Sequence, residues 1–279
     1  MRESESSVVG VPLPLGIRLK IERAQEHVNT LEREIAAYRE GRHYEFAGDF
    51  DSKPKHCLVR FHLLEHPEER WGVILGDVAH NYRSALDHIA WQLVKRYGGR
   101  GGRQTKFPIY AKESDYIDWR APRRACDPRG KWSDPFEGVD EEIVALIESF
   151  QPYRREGEND PLAILSAISN RDKHRLLLPT VVAVDFGEPR DFWWYELRGV
   201  TMDAIGEAWV SQAFPERLED KAMLLQAVAE DPLPSDPYVK CKCHVALEVS
   251  LPKRGPIGDV IGNMTDRIEE VAQAFGGTL

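Results

Sequence analysis

Seven polar residues between Asp77 and His88 carry most of the chemistry this sequence offers. On a helix, Asp77, Asn81, Ser84 and His88 recur at i, i+4, i+7 and i+11 and form one stripe; His80, Arg83 and Asp87 form a second. Each stripe has its own imidazole, a group that titrates near neutrality and can give or take a proton. The plain structural reading is an Arg83–Asp87 ion pair with His80 beside it, and His88 as a core-edge histidine held by Ser84 or Asn81. A second polar cluster runs from Asn170 to Arg175. Its cations suit the C-terminus of a helix, but Asp172 and His174 have no such explanation and are further candidates. Competing schemes lack parts. A Ser84, His88 and Asp77 triad has no G-x-S-x-G turn and leaves little room for substrate. Metal hydrolysis lacks H-E-x-x-H or paired carboxylates, and no metal or cofactor is expected.

The stretch that must position these groups is Trp71–Tyr97. Trp71, Ile74, Leu75, Val78, Tyr82, Ala85, Leu86, Ile89, Leu93 and Tyr97 trace one apolar face, which predicts a central buried helix. Between Gly72 and Val94 the only charged residues are Asp77, Arg83 and Asp87, although 30% of the chain is charged. His80, Asn81, Ser84, His88 and Trp91 stand where lysine and glutamate would on a solvent face, so a polar cleft or an interface is expected. Upstream, Ile17, Ile21, Ala24, Val28, Leu31, Ile35 and Tyr38 alternate steps of four and three, a long helix whose seam packs on the central helix or on a second copy. HYEFAGDF and HCLVRFHLLE flank a turn-rich stretch and predict a β-hairpin with Cys57 in its core. Pro67, Glu68 and Glu69 suit the first turn of the central helix.

Beyond that helix, GGRGGR lacks the strand before it and the G-K-[ST] ending of a phosphate loop, and reads as a connector. DEEIVALIESFQPY is a short amphipathic helix. Asn159 or Asp160 as N-cap and Pro161 at the first position open another, burying Leu162, Leu165, Ile168 and Ile164. TVVAVDF and DFWWYELRG flank GEPR and read as a second hairpin. Residues 216–230 are open between helix and strand. Tyr238–Leu251 alternates as one strand, which puts Cys241 and Cys243 on one face and His244 on the other, against a metal site. From Asp259 a last helix buries Val260, Ile261, Met264, Ile268, Val271 and Phe275.

A net charge of −9 argues against a protein coated in nucleic acid, but the charge is uneven. From Lys95 to Lys131 eleven Lys and Arg face four acids, a balance of +7 against −16 elsewhere. Phe107, Tyr110, Tyr116, Trp119 and Trp132 are interleaved with cations, of which Arg103, Lys106, Arg120, Arg123 and Arg124 are candidate RNA contacts. The equal alternative is a surface loop anchored by its aromatics. The four cysteines form no C-x-x-C pair, so neither a disulfide framework nor a structural zinc is indicated. MRESESS leads into no apolar run of signal-peptide length, and no stretch reaches the roughly 20 apolar residues of a membrane span. A cytoplasmic protein is expected.

Arg83 and His88 form R-x4-H, and in this the chain resembles the HEPN superfamily, many of whose members are metal-independent endoribonucleases of bacterial toxin, abortive-infection and phage-defence systems. HN-x-RSALDH with the later DKHR also resembles uncharacterised bacterial proteins. Ser84 stands where the superfamily usually has Asn, Asp or His after the arginine. The resemblance implies that His88 is the acid/base toward a 2′-hydroxyl, Arg83 the phosphate clamp, and Asn81, Asp87 or Ser84 the orienting groups, with His80, Asp77, Asp172 and His174 in reserve. Residues five apart on a helix stand about 140° apart. In HEPN nucleases the site is typically formed at a dimer cleft where paired copies of the motif converge, and this the resemblance implies for a homodimer here.

The expected fold is α+β: a helical bundle around the central buried helix, with β-hairpins, a β-rich C-terminal part and a final helix. Residues 1–14 are expected as a mobile tail, 15–175 as the mainly helical part, and 176–279 as the β-rich part packed on it as one unit. The expected function is a metal-independent HEPN-type endoribonuclease acting on RNA as a homodimer. The alternative is a non-catalytic ligand- or protein-binding module whose central His, Asn and Arg groups form a structural polar network. RNA substrate and any antitoxin partner are not legible.

Overall fold

The computed structural model describes residues 13–41, 43–50, 56–97, 105–121, 134–175, 177, 179–183, 194–197, 205–210, 220, 223–229, 239–242, 245–249, 257–277 and 279. These residues are mostly helical, with antiparallel sheet. The chain divides into two compact units, each assembled from separated segments: residues 1–30, 73–176 and 258–279, and residues 31–72 and 177–257.

The first unit is built on two long helices, α1 (Leu15–Glu40) and α2 (Arg70–Arg96), whose early part and main body respectively belong to it. The seam of α1 is buried in the chain itself: Ile17, Ala24 and Val28 are at most 2% exposed. These seam residues are core, while Ile21 and Ile35 of the same seam are half-buried. On α2 the expected face is buried from Leu75 to Leu93, and Ala79, Ala90 and Val94 join it, so the helix is covered on more than one side. Expected and observed starts of α2 differ. Pro67, Glu68 and Glu69 precede the helix, and the carbonyls of Glu68 and Glu69 accept turn bonds from the Trp71 and Gly72 N–H groups at 3.1 and 3.0 Å.

Two short helices follow, α3 (Glu113–Arg120) and α4 (Glu141–Ser149), then α5 (Pro161–Asp172) and, at the end of the chain, α6 (Ile257–Gly276). α4 is capped by Asp140, which accepts from the Glu142 N–H. α5 is capped by Asp160, which accepts from the Leu162 N–H, with Pro161 at its first position. α6 buries Val260, Ile261, Met264, Ile268, Val271 and Phe275, its expected face. α3 lies in the stretch read as loop. Of its eight residues only Tyr116 is buried, too little periodicity to mark a helix.

In the second unit β1 (Tyr44–Phe50) and β2 (His56–Leu63) form the expected hairpin, with Tyr44 opposite Leu63 and Phe50 opposite Cys57. Trp71 donates its indole N–H to Glu34 at 2.9 Å and meets Tyr38 edge-on at 5.4 Å. A Cβ on Gly72 would lie 1.6 Å from the Leu177 carbonyl oxygen, so only glycine admits this approach.

Among the described residues, the two strands of the expected second hairpin pair with other partners. β3 (Pro179–Ala183) pairs with β8 (Val245–Val249), and β4 (Trp194–Leu197) pairs with β7 (Val239–Lys242), both antiparallel. The single strand expected over 238–251 is therefore two strands in two sheets. Alternation gave the right period, but a period of two is blind to the partner. The open stretch 216–230 contains β6 (Met223–Ala229), which lies between β2 and β5 (Ile205–Val210) in a sheet of order β1-β2-β6-β5. Fewer than half of residues 179–249 are described, so the character of that part as a whole lies outside the described residues. So do the tail over 1–12, GGRGGR, residues 122–133 and the side chains of Cys57, Cys241, Cys243 and His244.

Candidate functional site

The two polar stripes of α2 face different neighbours in the first unit. Along the first, Asn81, 8% exposed, donates from its amide to the Asp77 carbonyl at 2.8 Å and accepts from the Lys20 ammonium of α1 at 3.4 Å. Ser84 is half-buried, while Asp77 and His88 are exposed. His88 stands near the first turn of α1, its Nδ1 3.8 Å from where a Cβ on Gly16 would sit.

The second stripe meets residues 105–110, an extended segment that runs past α2. Arg83 donates from Nη2 to the Phe107 carbonyl at 2.7 Å and pairs with Asp87 at 3.0 Å, and the same Asp87 oxygen accepts from the Phe107 N–H at 3.0 Å. Both polar groups of one residue's backbone are thus held by one turn of α2. The Phe107 ring, fully buried, meets Phe275 edge-on at 6.3 Å. Further along, the buried Gln151 donates to the Pro108 carbonyl at 2.9 Å and accepts from the Tyr110 N–H at 3.1 Å. The segment is tied to the fold on two sides, and a buried backbone needs such partners. His80 is exposed.

Between α2, this segment and α5 lies a polar cavity of about 310 Å³. α2 contributes Arg83 and Asp87, and the segment contributes Lys106 and Tyr110. From the last two turns of α5 come Ser166, Ser169 and Asn170, and from its C-cap Lys173. Asp172 packs on α2 instead: a Cβ on Gly76 would sit 2.4 Å from its carboxylate, so the glycine lets the end of α5 approach. His174 is exposed and outside the cavity.

The structure thus brings together Arg83 and Asp87 with Lys106, and joins them to Asn170 and Lys173 of the second cluster. It does not bring His88 or His80 to them within one chain. Among the described candidate RNA contacts, Lys106 lies at the cavity. Arg120 is committed to Asp134 at 2.6 Å, and Arg103, Arg123 and Arg124 lie outside the described residues. Among the described aromatics of the basic stretch, Tyr116 is buried and lies against Trp119 at 6.1 Å and Tyr153 at 5.8 Å, and the half-buried Trp119 meets Phe136 at 5.6 Å; Trp132 lies outside the described residues. Burial pushes the Tyr116 hydroxyl up to about 12, which leaves it un-ionised at neutral pH. Tyr110 joins this cluster and also walls the cavity. Sequence reasoning missed the residues Ser166, Ser169, Asn170 and Lys173 as cavity groups; the density of polar residues at the end of α5 was their only signal.

No protein-family model, no curated protein and no solved structure matches the chain. Among the described residues no helix is long and apolar enough to cross a membrane.

Proposed function

We propose that the chain is an RNA-binding module, HEPN-like and cytoplasmic, that holds phosphate groups at the cavity between α2, residues 105–110 and α5. One observation carries the reading: Arg83, from the R-x4-H motif, and Lys173, from DKHR, meet at one cavity together with Lys106. The clusters are about ninety residues apart in the chain, and cations gathered at a polar cavity favour an anionic ligand. The local charge outweighs the acidic character of the whole protein, because only nearby charges act undiminished at physiological salt.

A single-stranded oligoribonucleotide titrated at several salt concentrations tests this. Binding is expected to fall steeply with salt, and Lys106→Ala with Lys173→Ala is expected to flatten the slope by about 1.4, from about 0.7 per lost phosphate contact. Absence of binding at low salt would remove the reading.

The second reading is a metal-independent endoribonuclease, and the exposure of His88 favours it. Arg83 and His88 look away from each other on α2, so a working pair would take one residue from each subunit of a homodimer. His88→Ala should then abolish RNA cleavage in the presence of a chelator, and sedimentation at micromolar concentration should show a dimer. Cleavage that persists in His88→Ala, or a monomer that cleaves, sinks this reading.

A further inference from the structure

The charge count of the α2–α5 cavity says more about its ligand than that it is anionic. Arg83 and Asp87 neutralise one another. The remaining charge is that of Lys106 and Lys173, both exposed and without an ion-pair partner among the described residues. They have to outweigh the partial negative charge at the C-terminus of α5, where Lys173 is the capping residue. A phosphodiester inside an RNA strand brings one negative charge and leaves one ammonium unmatched. A phosphomonoester brings about −1.5 to −2 at neutral pH, with three acceptor oxygens, and matches both.

Volume and hydrogen-bonding groups agree with that choice. About 310 Å³ is at the small end of ligand sites, which run from about 300 to 1,000 Å³, room for one nucleotide-sized unit and not for a strand passing through. The walls are fixed, since the Phe107 backbone is held by Arg83 and Asp87, and Tyr110 by Gln151. Ser169, only 6% exposed, and Ser166 line the cavity with hydroxyls suited to phosphoryl or ribose oxygens.

We infer that the cavity is a site for a terminal phosphomonoester on ribose, with Lys106 and Lys173 pairing with the dianion. The phosphorylated end of an RNA and a small ribose phosphate share this chemistry; only the first source rests on the RNA-binding reading.

The test uses the full chain and one octaribonucleotide made with a 5′-phosphate, with a 3′-phosphate and with neither, each labelled away from the phosphate, with ribose 5-phosphate as competitor. One phosphorylated form is expected to bind at least about tenfold tighter than the unphosphorylated form. Lys106→Ala with Lys173→Ala should erase that preference while the melting temperature holds, because both side chains are exposed. Displacement by ribose 5-phosphate supports the site, and its binding without any RNA binding supports it through the second source while removing the RNA reading. Equal binding of all three RNAs with no displacement by ribose 5-phosphate overturns the inference and leaves the RNA reading standing. A preference that survives in the double variant also overturns it. Failure of every RNA and of ribose 5-phosphate to bind overturns both.

Discussion

Arg83→Ala is expected to lower the stability of the folded chain by about 2 to 4 kcal/mol, read as a shift in denaturant midpoint. The side chain is 16% exposed, and its loss strands two groups at once. The Phe107 carbonyl loses its 2.7 Å donor, and Asp87 keeps the Phe107 N–H but loses its counter-ion. An unsatisfied carbonyl costs about 1 to 3 kcal/mol, and a partly buried carboxylate without its partner adds to it. Arg83→Lys should recover only part of this, because a single Nη2 reaches both partners from the end of a rigid planar guanidinium, a position the shorter, flexible lysine stem does not reproduce. This bears on function directly. Loss of RNA binding or cleavage in Arg83→Ala does not by itself identify a phosphate clamp, since the latch on residues 105–110 also shapes the cavity. His88→Ala, exposed and outside that latch, should leave the midpoint where it is. An Arg83→Ala protein as stable as wild type would show that the latch contributes nothing.

Arg267→Ala is expected to cost more, about 3 to 5 kcal/mol, the usual penalty for stripping a buried ion pair of one member. Arg267 of α6 is 4% exposed. It donates to the Phe150 carbonyl at 3.1 Å, pairs with Glu270 at 2.5 Å, lies over the Phe150 ring at 5.0 Å and stands 3.7 Å from Asp160, itself 1% exposed. Asp160 also caps α5, the helix that supplies one wall of the cavity. Burial already raises the Asp160 carboxyl above its ordinary value of 3.8, opposed by the Leu162 N–H and by Arg267. Without Arg267 it rises further. A carboxyl raised in the folded state penalises stability above its folded pKa and ceases to as pH falls toward 3.8, so the deficit of the variant should shrink on acidification. Thermal or denaturant unfolding at a series of pH values checks both size and trend, and a deficit that grows on acidification counts against the account. Asp160→Asn placed in Arg267→Met should recover much of the loss by removing the charge left behind.

Local pattern settled the helices other than α3. The seam of α1, the face of α2, the Asp160 cap with Pro161, and the apolar face of α6 each follow from residues within a few turns, because periodicity and capping depend on neighbours in the chain. The β1–β2 hairpin was legible for the same reason, its turn joining strands that are adjacent in sequence. Sheet partners beyond it were not. β3 reaches β8 and β4 reaches β7 across stretches whose alternation would serve any partner equally, and β6 joins β2 by a pairing of Cys57 with Ala227 that no local signal announces.

The candidate site divides along the same line. Residue types alone mark which side chains could do chemistry, and the helical repeat makes Arg83 and His88 point apart. The sequence also marked Arg83 and Asp87 as a pair and the end of α5 as unusually polar. The closed core alone shows that Arg83 and Asp87 hold the Phe107 backbone, that Tyr110, Tyr116 and Trp119 pack on one another, and that Lys173 and Lys106 line one cavity. Side-chain type and helical spacing are properties of a segment, whereas the partner of a guanidinium and the walls of a cavity are set by segments distant in the chain that meet only when the core closes.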